Sequence, residues 1–217
     1  MRRALARTFS VLALATIATG TPLAAQSKWN VSFAVGGGSE IARSRIGTAR
    51  ERVSGLVLGG EAVATRGRFV ARLRYGQGRV TNDTAGRDVA EGEALLGYNA
   101  RPWLTVWFGP HARTFVVPGQ SDRRWLLWSG RVTARGMLFP ERVESFVELW
   151  QGITGSLNRP AESATGGGAE AGLVVRLARK PVWGRLAYRI EQGRVSGGTR
   201  RETVEAITLT VGFVPLK

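Results

Sequence analysis

The chain offers few groups that could do chemistry. Its 217 residues include one histidine and no cysteine. Without thiols there is no disulfide framework, zinc–thiolate site or iron–sulfur cluster. A single imidazole excludes any centre that needs two. That imidazole stands in Gly109-Pro110-His111-Ala112-Arg113 and is a candidate general acid or base. Glu144 and Glu148 could suggest a hydrolytic carboxylate pair. Four residues apart on an extended strand, they stand about 13 Å apart, beyond the separation such pairs use. The runs Gly36-Gly37-Gly38 and Gly166-Gly167-Gly168 have the composition of phosphate loops, but neither is followed by Lys-Ser/Thr or opens a helix. Bends at strand ends are the expected use of these glycines. There is no Gly-x-Ser-x-Gly elbow. No catalytic residue, cofactor or metal is expected from these patterns.

Charge is the more informative chemistry. Lys plus Arg number 31 against 16 Asp plus Glu, a formal net charge of +15. All the basic residues except Lys28, Lys180 and Lys217 are arginine. Such an excess first suggests nucleic acid. The start of the chain argues otherwise. Arg2, Arg3 and Arg7 precede an apolar run over 9–18, followed by Gly20-Thr21-Pro22 and the small residues Ala24-Ala25. This is the three-part layout of a secretory signal peptide, with cleavage expected after Ala25. The run is shorter than the roughly 20 residues of a spanning helix. Residues 1–25 are thus an export signal and 26–217 one domain. The net charge falls to +12 when the three leader arginines are lost. An exported chain has no nucleic-acid partner.

The elements that must position these side chains are strands. Period-two alternation recurs throughout. Ile207, Leu209, Val211 and Phe213 oppose Ala206, Thr208, Thr210 and Gly212. About ten strands are expected, near 29–38, 54–64, 68–79, 89–99, 103–116, 124–138, 142–154, 169–178, 182–193 and 203–214. Eight remain possible. Short turns near 65–68, 99–102, 139–142 and 178–181 alternate with longer polar connections near 39–53, 79–88, 117–123, 155–168 and 194–202. Most strands exceed the usual five or six residues and match the 9–11 that a tilted membrane-spanning strand requires.

The even strand count, alternating short and long connections and signal peptide together resemble a small bacterial outer-membrane β-barrel, over the whole mature region. The resemblance implies an all-β, transmembrane, antiparallel up-and-down barrel. It also implies both termini on the periplasmic side and the long connections outside the cell. Enzymes with this architecture use a histidine near the outer rim. The deacylase type carries Ser two residues after it, where this chain has Arg113; the protease type needs Asp, and the chain has only Asp83, Asp88 and Asp122, all in connections. A structural His111 is therefore favoured over a catalytic one.

The apolar faces carry almost no charge, as contact with hydrocarbon requires. Trp29, Phe69, Tyr98 and Phe213 are expected at the periplasmic rim, and Tyr75 and Trp128 toward the outer one. The opposite faces carry Glu61, Arg72, Arg74, Glu91, Glu93, Arg113, Arg131, Arg135, Glu144, Glu148, Glu170, Arg176, Arg185, Arg189 and Glu191. Cross-strand pairs of opposite sign are favourable, and buried arginine needs carboxylates to accept from its donors. These residues either fill and close a narrow barrel or line a polar lumen. Inward Trp103, Trp107, Phe146, Trp150 and Trp183 favour filling.

The outer connections are basic. Arg43, Arg45, Arg50 and Arg52 are expected to pair with phosphates of lipopolysaccharide, because guanidinium forks suit phosphate oxygens. A plain solvated basic loop is the alternative. The reading is a monomeric, non-enzymatic outer-membrane barrel with a structural, narrow-pore or surface-interaction role, touching outer-membrane lipid and lipopolysaccharide. Its rivals are a membrane enzyme using His111 and a secreted soluble barrel with the faces exchanged, holding an apolar ligand.

Overall fold

A computed structural model describes residues 29–83, 86–116, 123–157, 162–177, 180–195 and 200–214. The expected export signal, 1–25, lies outside these. Ten strands form one closed antiparallel barrel. They are β1 (Asn30–Ile46), β2 (Ala49–Arg66), β3 (Phe69–Thr81), β4 (Gly86–Arg101), β5 (Leu104–Val116), β6 (Arg123–Phe139), β7 (Val143–Leu157), β8 (Glu162–Arg176), β9 (Val182–Val195) and β10 (Arg200–Phe213). Each pairs with its sequence neighbours. β1 closes on β10 through a register running from Phe33 opposite Phe213 to Ile46 opposite Arg200. Closure leaves no strand edge with unpaired backbone groups, which hydrocarbon would not satisfy.

The strand count agrees with the sequence. Two of the long outer connections do not, and most of the one expected over 117–123 lies outside the described residues. The segment expected as a loop over 39–53 is a continuous hairpin, with Arg43 opposite Arg52 and Arg45 opposite Arg50, closed by Gly47-Thr48. Gly47 has φ +58°, the positive value that the first central residue of a II′ turn needs. Gly67 has φ +60° in the same position between β2 and β3. Likewise β7 runs to Leu157 and β8 begins at Glu162, so most of the expected loop over 155–168 is sheet. Both glycine runs lie inside strands, not at their ends: Gly36–Gly38 in β1 and Gly166–Gly168 in β8.

The faces follow the alternation, and they are inverted relative to a soluble protein. Val35, Leu58, Leu73, Leu96, Leu149, Leu186 and Leu209 are exposed on the outer surface. Arg72, Glu93, Arg113, Arg131, Glu148 and Glu191 are buried inside. A soluble barrel with an apolar interior would need the opposite arrangement. The outer aromatics include Phe69 and Tyr98, edge to face at 5.6 Å beside the termini, and Phe108 and Trp128, 5.5 Å apart. Two aromatic expectations are corrected. Tyr75 falls at the middle of β3, opposite Gly60 and Gly92, not toward a rim. Trp103 sits exposed in the turn between β4 and β5, because the pairing of Arg101 with Leu104 leaves it outside the ladder.

The outer face makes a direct test possible. Leu209→Arg should lower the unfolding free energy in lipid vesicles by about 2–4 kcal/mol if its level is near the bilayer midplane. Equal stability of the two proteins in a vesicle urea titration would contradict burial of this face in lipid.

Candidate functional site

The barrel interior is stratified along its axis. At the end shared by the termini lies a vestibule of about 430 Å³, walled by Trp107, Phe146 and Trp183 and by charged groups including Arg72, Arg135, Arg185 and Glu144. Near its rim Arg135 and Arg176 share one carboxylate, that of Glu144, at 3.6 and 3.1 Å. Arg135 also donates to Thr105 Oγ1 at 2.9 Å.

Above the vestibule ion pairs cross the lumen, beside a cavity of about 80 Å³ at the glycine-bearing wall of β1 and β2, lined among others by Glu61, Arg74, Glu91 and Arg189. Glu148 on β7 is the hub of the first group. It accepts two parallel hydrogen bonds from Arg72 of β3 across the lumen, at 2.9 and 2.8 Å. It also accepts from Arg131 at 3.2 Å and from Thr133 Oγ1 at 2.7 Å. Glu93 joins the same two arginines, at 3.0 Å from Arg72 and 2.6 Å from Arg131. The guanidiniums lie over aromatic rings: Arg72 4.7 Å from the Trp107 centroid and Arg131 5.0 Å from Trp150. In the second group Arg74 reaches Glu61 at 3.1 Å and Glu170 at 3.2 Å across the barrel. Arg185 contacts Glu170 and Glu61 and stacks on Phe146 at 4.5 Å. The third group joins Arg113 to Glu91 at 2.7 Å and to Glu191 at 3.4 Å. Arg189 reaches Glu91 at 2.9 Å and Glu40 at 3.6 Å.

The wide aromatic rings fit because the neighbouring strand carries glycine. A Cβ on Gly97 would stand 2.5 Å from Trp107, on Gly168 2.5 Å from Trp150, and on Gly212 2.1 Å from Trp183. Each glycine is the cross-strand partner of its tryptophan.

Toward the far end the filling becomes apolar. Ala42, Val53, Val80, Val89, Phe115 and Val204 form one buried cluster, and Trp125, Leu157, Ala164 and Val195 another. Each of the ten strands supplies one of these ten residues. They make a ring of two separate clusters around the lumen. Beyond it stands a small polar mouth, where Glu51 accepts from Arg87 and from Ser44 Oγ at 3.3 Å. Trp125 Nε1 donates to Glu202 at 3.1 Å.

All fifteen inward charges named from the sequence face the interior, with Arg176 near the mouth at the termini end. Four more were missed: Glu40, Glu51, Arg87 and Glu202. They continue the same alternation, two residues at a time, into stretches whose polarity reads as loop. The apolar ring was missed as well. Arg43, Arg45, Arg50 and Arg52 are brought together, but on the outer surface of β1 and β2, not in a loop. His111 is buried, 5% exposed, with Nδ1 3.7 Å from Glu191 Oε1. The described residues contain no cluster of three or more His, Asp or Glu suited to hold a metal ion.

Closed antiparallel pairing, an apolar exterior and a charged interior define the class: a small ten-stranded membrane β-barrel of the outer-membrane kind. No protein-family model matches the chain, and no curated protein sequence does. Solved structures of similar shape include an outer membrane channel from Pseudomonas putida F1, 9% identical with TM-score 0.48, covering 91% of this chain and 100% of that one. The translocator domain of the autotransporter NalP from Neisseria meningitidis is 11% identical with TM-score 0.43, covering 84% and 88%. Ail of Yersinia pestis is 8% identical with TM-score 0.34, covering 84% and 98%. Likeness at this level carries no functional argument, and the barrel assignment rests on the pairing and the faces.

The hub and the rim should respond differently. Glu148→Gln weakens acceptance from two buried arginines at once, and breaking such pairs costs about 3–5 kcal/mol. Glu144→Gln disturbs a wetter rim pair, worth about 0–1 kcal/mol. Unfolding titrations of the two variants should show this order, and equal losses would show that the lumen is hydrated throughout.

Proposed function

We propose that this protein is a monomeric, non-conducting, non-enzymatic barrel of a Gram-negative outer membrane, delivered by a cleaved signal peptide, whose interactions are made by its surfaces and outer end. The observation that carries this reading is the set of side chains that crosses the lumen. Three groups of ion pairs span the barrel, and a ring of ten apolar side chains lies between them and the far mouth. A hydrated ion crossing this path would have to separate buried charge pairs and pass an apolar constriction, both costly steps. A structural or surface-interaction role therefore fits better than a narrow pore.

The hydrolase reading finds less support. An acid or base must reach a substrate proton within hydrogen-bond distance. His111 lies among Arg113, Glu191 and its other interior neighbours, beneath the apolar ring.

Two measurements test the proposal. The full chain should be recovered in outer-membrane fractions and migrate differently in detergent gels before and after boiling. Purified and folded, it should give no unitary steps in planar bilayers. Stable channel openings from the wild-type protein would overturn the non-conducting reading. Hydrolysis of a lipid or peptide substrate that disappears with His111→Ala would overturn the non-enzymatic one.

A further inference from the structure

The arginines of the outer surface form an arrangement that does not stabilise the barrel by itself. Arg43 stands opposite Arg52, and Arg45 opposite Arg50, on adjacent strands of the same face. Arg45 is also opposite Arg201 of β10, and Arg201 is opposite Arg194 of β9. One row thus runs Arg194, Arg201, Arg45, Arg50 across four neighbouring strands. Like charges directly opposite each other are destabilising. Among the described residues, Glu205 meets Arg43, and no carboxylate lies within ion-pair distance of Arg45, Arg50 or Arg52. Arg45 donates to the Gly47 carbonyl at 3.1 Å and Arg201 to Gln192 at 2.8 Å, so some of these side chains are held in place. Beside them lies a groove of about 380 Å³, lined by five arginines with Thr203 and, at the rim of the inner mouth, Ser44 and Glu51, whose carboxylate is already met by Arg87.

The position of the rows selects the ligand. They face away from the lumen, at the end opposite the termini. On the same face, the next pair toward the termini is Ile41 with Ser54, and the one after it is Ser39 with the exposed Leu56. The guanidiniums therefore stand just past the apolar band, at the level where a surrounding lipid carries its head group. We propose that the groove between β10, β1 and β2 binds the phosphates of a phosphorylated glycolipid in the outer leaflet. Paired guanidinium forks take up the phosphate oxygens, and the lipid's acyl chains lie against the apolar wall below. Two negative charges placed between the rows convert repulsion between strands into bridging. This site rests on the outer-membrane reading of the preceding subsection.

The full mature chain is folded into phosphatidylcholine vesicles, with or without a small fraction of diphosphorylated lipid A. The readout is the temperature at which the heat-dependent gel shift is lost. Diphosphorylated lipid A should raise that temperature, and lipid A stripped of both phosphates should not. The variant R43Q/R45Q/R50Q/R52Q should keep the gel shift, lose the stabilisation and bind lipid A at least tenfold more weakly. The variant R50E/R52E should be more stable than wild type in pure phosphatidylcholine, since each new carboxylate faces an arginine, and should gain nothing from lipid A. Equal stabilisation of the quadruple glutamine variant, or of wild type by the dephosphorylated lipid, overturns the site. Reproduction of the whole effect by soluble pyrophosphate reassigns the groove to a free anion and overturns the lipid source. A wild-type chain showing no gel shift in any vesicle fails the membrane reading itself, whatever the arginines bind.

Discussion

The structure depends on charge balance in a space that water and lipid both leave. Among the described residues, the seven glutamates expected to face inward are joined by Glu40, Glu51 and Glu202, and the eight arginines by Arg87. Ten carboxylates thus stand against nine guanidiniums. Such a set is stable only if nearly every member has partners, because an unpaired buried charge costs several kcal/mol. This requirement acts across the barrel as well as around it. Arg72 meets Glu148 from β3 to β7, Arg74 meets Glu170 from β3 to β8, and Arg113 meets Glu191 from β5 to β9. Neighbour pairing could be met by a flat sheet. These trans-lumen pairs can be met only by a closed one of this circumference.

Closure in turn fixes how the lumen is filled. Arginine supplies length and a planar fork, so a guanidinium can reach the opposite wall and still lie flat on an indole or phenyl ring on the way, as Arg72 and Arg185 do. The rings need room, which the cross-strand glycines provide. The far ring uses another device: valine, alanine, leucine and two aromatics pack as an ordinary core, with one residue from each strand. The barrel is therefore held by dispersion and hydrophobic burial toward one end and by electrostatics at its middle. The vestibule at the other end brings charge, aromatic surface and solvent together.

Much of this was legible in the sequence, for a physical reason. In a barrel between lipid and a charged interior, the two faces differ as much as side chains can, so period-two alternation survives noise. The faces of the fifteen inward charges named from the sequence and the buried position of His111 follow from parity, and the strand count from parity together with the turn residues between runs. What parity could not show was where strands stop. In soluble sheets a polar stretch such as Ser39-Glu40 or Arg50-Glu51-Arg52 marks a loop. Here polar residues are the normal content of the inner face, and arginine is the normal content of the outer face past the lipid. Polarity thus carries no stop signal, and β1, β2, β7 and β8 continue through segments that read as connections. The same error hid Glu40, Glu51, Arg87 and Glu202. The apolar ring escaped because its members come from ten separate strands and converge only when the barrel closes.

The excess positive charge then has few places to go. The interior charges counted above balance to within one, and the lipid-facing band carries almost no charge. The basic excess of the chain is driven to the two ends of the cylinder. At the termini end its arginines lie near turns and aromatics: Arg66 over Trp29 at 5.9 Å, and Arg68 donating to the Tyr98 hydroxyl at 3.2 Å. At the far end they are stacked opposite one another in rows. Dispersed charge can be solvated where it stands. Rows of like charge on paired strands cannot spread apart without breaking the ladder, because the backbone hydrogen bonds hold the strands about 5 Å apart. That rigidity is costly for an isolated barrel and favourable for one that meets anions at a fixed height. The hydrogen-bonded wall that aligns the interior pairs is also what keeps the outer arginines in line.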